Sequence, residues 1–514
     1  MGRVSIWQGA FILALTGLVN RILSFFYRML VVRLIGAEGI GLYEMVFPFY
    51  SMVLVLATAG VPVALSKLTA ERVSIQEWAS VRSIFKLSLL FLSFSGIFVA
   101  CVLWKLSPYL TGKVFADNRV YPAFMVMLVA LPVVCICSVF RAYFQGLQLM
   151  KSVALAQLCE QIVRVSLGLF LGLHFLPYGV EMAAAGLAIG MVGGELVGLT
   201  ISIFIFWLAQ PYYDIAANQK STMRDDIDPL MRLSFPVMLS RIAGSFVVTM
   251  EALLIPHQLQ VWGLSVGKAT TVYGEYAGIA LTLIYLPTVI TVAISFTMLP
   301  AISEAQAMKN YNLLHKRCSQ ALKITLFCSL PFVSVFYLFA EPICSIVFGT
   351  PEAGIALKAL AWGCVFIYLE QTIAGILNGL GAMTTLLLTT VIGGILGLAG
   401  IYFLTPILGI TGSAIGVNLG CAVTAILDLL ALIIYTHFNF DFRTFILWPA
   451  ISLIAMLLAN SLIWQSLAML PDIYRLIFGV IGGGLLYLII ILGSGIIDFK
   501  QIYIFSWSGH RKGK

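Results

Sequence analysis

The sequence predicts an all-α protein that crosses a membrane many times. Of its 514 residues, 61% are hydrophobic and only 10% are charged, against about 25% charged in soluble domains. Apolar runs recur along the whole chain at the length, about 20 residues, that a helix needs to cross the hydrocarbon core. No polar tract is long enough to fold as a separate soluble domain. The short alternating strands of a membrane barrel are absent.

Fourteen spans follow from hydropathy: 5–33, 43–66, 83–104, 121–145, 153–175, 181–208, 230–256, 271–301, 319–340, 355–380, 384–404, 410–436, 444–466 and 473–497. The first is read as a retained span, because its apolar run far outlasts a signal-peptide core and meets no small-residue cleavage site. With the N-terminus in the cytoplasm, 18 Lys and Arg fall at cytoplasmic ends and 7 at outer ends, with Arg21, Arg28, Arg141, Arg164 and Arg241 within or near spans. The positive-inside rule then places both termini in the cytoplasm. The net charge of +8 reflects these loops and calls for no nucleic-acid partner. The nine cysteines lie mostly in apolar runs, and Cys135 with Cys137 has no neighbouring histidine, so no metal site is expected.

The chain repeats internally. VNRILSF at 19–25 resembles LSRIAGSF at 239–246, QGLQLM at 145–150 resembles NGLGAM at 378–383, and AAGLAIGMVGG at 184–194 resembles ITGSAIGVNLG at 410–420. The offsets are 220, 233 and 226, in order, around the polar linker 209–229. Each half holds six spans, an even number, so the repeat is parallel. The expected organisation is an N-lobe 1–208, the linker, a C-lobe 230–436, and a segment 437–514 with spans thirteen and fourteen and a basic tail.

Charges inside spans are costly and are functional candidates by default. Arg21, Ser24 and Arg28 share one helix face, their spacing being i, i+3, i+7. The repeat gives Arg21 a counterpart in Arg241, whereas Val248 or Thr249 stands opposite Arg28. Arg21 with Arg241 is therefore the leading cationic pair, with Asn20, Arg28 and Lys67 in support; Lys67 also reads as an ordinary loop charge. Glu44 is placed to pair with Arg21 or Arg28. Glu160 and Arg164, at i, i+4, read as an intrahelical ion pair that lets both charges enter the membrane. Glu251, Glu370 and Asp428 are candidates for a coupling-ion site. Pro62 and Pro287 stand in the second span of each half as candidate hinges, and the glycines around Gly393 and Gly483 as close-packing positions. GLSVGKAT at 263–270 imitates a phosphate-binding loop, but it is one residue short and has Ala269 where Ser or Thr is needed.

The segments LIGAEGIGLYEMVFPFY at 34–50, GVPVALSKLTAE at 60–71 and RAYFQGLQLMKSVALAQLCEQIVRV at 141–165 resemble the family of stage V sporulation protein B and the MurJ-like lipid II flippases. This is the polysaccharide branch of the multidrug/oligosaccharidyl-lipid/polysaccharide transporter superfamily. Ala142 and Leu149 depart from the family pattern, which has glycine and often an acidic residue there. The resemblance implies two six-helix lobes in a MATE-like V around a central cavity, plus two C-terminal helices beside a groove for a polyprenyl tail. It implies a bacterial cytoplasmic-membrane flippase, not an enzyme; a monomer is expected. Its cargo would be an undecaprenyl-pyrophosphate-linked peptidoglycan precursor, moved by alternating access for spore cortex or wall synthesis. The resemblance also aligns Glu251 with a sodium-binding acidic residue of some relatives, so Na+ or H+ coupling without a bound cofactor is expected. Two other readings stay open: an organic-cation antiporter of the same fold, and a membrane glycosyltransferase or ligase acting on a lipid-linked sugar. The second would need a large catalytic outer loop, and the outer loops here are short.

Overall fold

The computed structural model describes residues 6–213, 223–438 and 441–494. The basic tail, Arg3 and the linker residues 214–222 lie outside them. Nineteen α-helices are present among the described residues and no β-strand. They are α1 (Ile6–Ile35), α2 (Ala37–Thr58), α3 (Val61–Ser74), α4 (Trp78–Tyr109), α5 (Tyr121–Gly146), α6 (Met150–Phe175), α7 (Val180–Tyr213), α8 (Met223–Val261), α9 (Val266–Gly274) and α10 (Leu281–Tyr285). Then follow α11 (Thr288–Ala307), α12 (Tyr311–Leu338), α13 (Ala340–Phe348), α14 (Ala353–Leu360), α15 (Cys364–Gly379), α16 (Met383–Leu408), α17 (Ile410–Thr436), α18 (Trp448–Ser466) and α19 (Asp472–Gly493). Thirteen helical segments are long and apolar enough to cross a membrane. The 30 residues of α1 make about 45 Å of helix, long enough to cross a bilayer as well.

Two predicted spans are each broken. The span expected at 43–66 ends at Thr58, because Ala59 and Gly60 both have positive φ, and α3 begins again at Val61. The span expected at 271–301 is α9, a wide π-helical turn over Glu275–Ala280, α10, a break at Leu286–Pro287, and α11. Pro62 sits in the first turn of α3 and Pro287 caps α11. A proline there loses no helical hydrogen bond, so each starts a helix instead of bending one, and in the first case the break lies at Ala59–Gly60.

The repeat is visible in local structure. Gln148 and Gly381, at matching positions of QGLQLM and NGLGAM, both adopt left-handed φ, 60° and 76°. Both ends are capped alike: Leu149 N–H donates to Phe144 O, and Ala382 N–H to Leu377 O, at 2.8 and 2.9 Å. This is the six-to-one bond that satisfies late helix carbonyls. The third motif repeats as well. A Cβ at Gly190 would lie 2.2 Å from Gly168 Cα, and one at Gly400 would lie 2.8 Å from Gly416 Cα, so α6 crosses α7 and α16 crosses α17 at glycines.

The chain divides into two compact units, one comprising residues 1–282 with 401–413, the other 283–400 with 414–514. This division falls after the predicted linker because α8 and α9 pack on α2, and α8 also on α3 and α4. The approach is close: a Cβ at Gly41 would lie 2.4 Å from Thr270 O, and one at Gly60 2.3 Å from Ser234 O. The first unit's core includes Leu65, Ile84, Phe85, Phe140 and Tyr143, with Phe206 stacked on Phe85 at 5.0 Å. The second is centred on Ile302, Cys318, Leu322, Ile376, Leu377 and Phe445. The appended pair α18–α19 docks in the second unit, where Asn460 Nδ2 donates to Ser334 Oγ at 3.0 Å and the Tyr487 hydroxyl to Phe327 O at 2.9 Å.

Candidate functional site

The charged face of α1 lies within the first unit. Arg28 Nη2 is 2.8 Å from Glu44 Oε1 of α2. Its Nη1 donates to Thr282 Oγ1 at 3.1 Å and to Ala277 O at 3.3 Å. Ala277 belongs to the π-helical turn, where the backbone departs from i, i+4 pairing and leaves a carbonyl within reach of a side chain. Tyr273 OH donates to Glu44 O at 3.4 Å. Arg28 thus joins α1, α2 and the segment from α9 to α10.

The sequence ranks Arg28 behind Arg21 and Arg241; the structure gives Arg28 bonds to Glu44, Thr282 and Ala277. Arg21 is half-buried on α1 and Arg241 is exposed on α8, two helices that share no extensive packing. Asn20 is half-buried, with its Oδ1 buried and lacking a hydrogen-bond partner. Lys67 is exposed and stands 3.8 Å from Glu71 one turn on, a solvent-screened surface pair.

A larger charged cluster ties α5, α6 and α7 together. Glu160 and Arg164 stand 2.6 Å apart along α6, and two further residues close the ring. Arg141 of α5 bonds Glu160 and lies 3.0 Å from Glu195 of α7, while Arg164 lies 2.9 Å from Glu195. Each carboxylate gives one oxygen to each arginine, and each arginine uses one Nη2 for both carboxylates. The quartet has two charges of each sign. Such balance is what allows buried ions to persist in a low dielectric. The i, i+4 spacing shows only the Glu160–Arg164 pair, and neither Arg141 nor Glu195 is joined to it by local sequence. The available signal was their number: two arginines and two glutamates on three consecutive spans.

A third network lies in the connection between α4 and α5, beside α2 and α9. Arg119 bonds Glu38 and Asp117, each at 2.7 Å, and Thr270 Oγ1 donates to Asp117 at 2.7 Å. Burial pushes the Asp117 carboxyl up, but hydrogen bonds from Arg119 and Thr270 outweigh it and hold it below the ordinary aspartate value. His257 and Gln260 of α8 reach the carbonyls of Val114 and Ala116. The imitation phosphate loop ends here. Gly267 faces the Glu38–Arg119 ion pair, a Cβ there lying 3.2 Å from the carboxylate and 3.4 Å from the guanidinium, so the nearby cation is already neutralised.

The coupling-ion candidates lie on three different helices. Glu251 is half-buried on α8. In the second unit, Asp428 of α17 is buried, accepting from Thr389 Oγ1 at 2.6 Å through Oδ1 while Oδ2 has no partner. Glu370 is half-buried on α15.

Comparison with known proteins identifies the family. The family model described as polysaccharide biosynthesis protein matches residues 6–306, well over half the chain. The chain belongs to that family. Within the polysaccharide biosynthesis family it is 30% identical over 435 residues to stage V sporulation protein B of Bacillus subtilis, covering 83% of each chain. It is 27% identical over 418 residues to the lipid II flippase MurJ of the same organism, covering 75% of each. A MatE model matches residues 276–403. A structure of lipid II flippase MurJ in an inward closed conformation aligns with a TM-score of 0.70 at 16% identity, over 94% of this chain and 99% of that one. The fold is that of the superfamily of multidrug, oligosaccharidyl-lipid and polysaccharide transporters. The protein is a multi-pass membrane transporter rather than an enzyme.

Proposed function

We propose that the protein is a flippase for an undecaprenyl-pyrophosphate-linked peptidoglycan precursor in the bacterial cytoplasmic membrane, serving spore cortex or wall synthesis. The carrying observation is the Arg28–Glu44 pair with its ties to Ala277 and Thr282. An arginine fork binds phosphate oxygens bidentately, and a carboxylate partner keeps the cation neutralised until an anion replaces it. In this reading the pyrophosphate takes Arg28 from Glu44, releasing the hold of α1 and α2 on the segment from α9 to α10. Arg21 and Arg241, with Asn20, extend the headgroup path, and Lys67 at the surface adds attraction for the anionic lipid. The relatives named as a lipid II flippase and a sporulation protein support this substrate class.

Glu251, Glu370 and Asp428 are proposed to couple transport to Na+ or H+, in a single chain with both termini cytoplasmic. The MatE match favours a second reading, an organic-cation antiporter. Its cavity would be acidic or aromatic, whereas arginines dominate the α1 face. The test is transport in liposomes of fluorescent lipid II and of a fluorescent organic cation, with Arg28→Ala beside wild type. Lipid II translocation lost in Arg28→Ala supports the flippase. Cation transport alone supports the antiporter.

A further inference from the structure

The helix that holds the arginine face of α1 is α6. Gln161 Nε2 donates to Ser24 Oγ at 3.0 Å, and Gln161 is only 7% exposed. Ser24 stands midway between Arg21 and Arg28. One turn further on α1, the Tyr27 hydroxyl seats over Gly168, where a Cβ would come within 2.6 Å. The two helices stay side by side from Gly9 against Met150 to Ile35 against Gly172, where added Cβ atoms would lie 2.9 and 2.7 Å from the facing side chains. Most of that seam is apolar and sets distance without fixing rotation. The Gln161–Ser24 bond is directional, so it also fixes the angle of α1 about its own axis.

Gln161 works from a rigid base. Its chain neighbour Glu160 is bonded by Arg141 and Arg164, which also hold Glu195. The glycine stripe of α7 leaves α6 no room to shift: a Cβ at Gly186 would lie 2.7 Å from Gly172 N, and one at Gly194 2.7 Å from Glu160 O. We propose that Gln161 is a positioning residue for the headgroup-binding arginines, fixing the rotation of α1 from an α6 anchored by the four-charge ring. The inference rests on the flippase reading of those arginines. A rotation of about 20° would move a guanidinium carried roughly 8 Å from the helix axis by about 3 Å, enough to spoil a bidentate phosphate contact.

Two measurements on Gln161→Leu test this, in full-length protein reconstituted into liposomes. The first is the concentration dependence of fluorescent lipid II translocation. Gln161→Leu raises KM roughly fivefold, the effect of about one hydrogen bond, with the maximal rate little changed, and Ser24→Ala adds nothing on top of it. An unchanged KM, a fall in maximal rate alone, or additive effects overturn the proposal. The second needs no transport. It is alkylation of a cysteine placed at Ile22, an exposed position of α1, read by peptide mass. Its rate changes in the Gln161→Leu background if the bond sets the rotation of α1, and an unchanged rate overturns the proposal. Wild-type protein that translocates no more lipid II than protein-free liposomes overturns the flippase reading instead, and the alkylation result still decides the role of Gln161.

Discussion

Glu195→Gln isolates the energetics of the four-charge ring. Glutamine keeps the shape of the side chain and removes one negative charge, leaving two guanidinium groups facing one carboxylate. The carboxylate side chains of Glu160 and Glu195 are 9% and 8% exposed, and those of Arg141 and Arg164 are 22% and 26%. Removing one partner of a buried ion pair costs about 3–5 kcal/mol. The partial exposure of the arginines lowers this to about 2–3 kcal/mol, because water screens the uncompensated charge. Restoring neutrality by combining Glu195→Gln with Arg141→Gln recovers about 1 kcal/mol or more, since bonded partners are not additive. The assay is thermal unfolding in detergent at one scan rate, with Lys67→Gln as the surface control. A Glu195→Gln shift no larger than the control, or a double variant equal to the sum of the singles, would refute the account of the ring.

Three further outcomes follow from other sites. Gly274→Ala forces α9 off α2, since its Cβ would lie 1.8 Å from Ala37 O; overpacking against backbone costs about 1–3 kcal/mol, read as a lower unfolding temperature. Asp117 has its carboxyl held below the ordinary value of 3.8, so its contribution is present above that value and is lost as pH falls through the lower folded one. Asp117→Asn is therefore less stable than wild type at pH 7, and the gap is unchanged down to about pH 4 and narrows only in thermal scans taken below 3.8. In the second unit the Arg475 guanidinium lies 3.8 Å over the Trp464 ring and also donates to Trp464 O at 2.9 Å. Arg475→Ala loosens the α18–α19 hairpin by about 1–2 kcal/mol, measurable as faster proteolysis between residues 466 and 472.

The helical class and most spans were legible because hydropathy is summed over some twenty residues and tolerates local error. The repeat was legible because glycines at close helix approaches recur at matching positions, Gly146 with Gly379 and Gly190 with Gly416. The break at Ala59–Gly60 was hidden: the proline at Pro62 drew attention to the wrong side of the junction, and positive φ at alanine has no sequence signature. The site was read through repeat symmetry, which favoured Arg21 with Arg241. The bond that Arg28 makes depends on Ala277 and Thr282, some 250 residues away and displayed by a π-helical turn that no local pattern announces. Likewise Glu160 with Arg164 was readable at i, i+4, whereas Arg141 and Glu195 reach the ring from other helices, and only the tertiary packing of α5 and α7 on α6 and on one another brings them there.

The most direct test of the central proposal is translocation of fluorescent lipid II in liposomes carrying wild type, Arg28→Ala or Arg28→Lys. Wild type is expected to translocate well above protein-free liposomes, Arg28→Ala to fall to their level, and Arg28→Lys to recover only in part, because an ammonium keeps the charge and loses the fork. Equal translocation by all three proteins would contradict a pyrophosphate-binding role for Arg28.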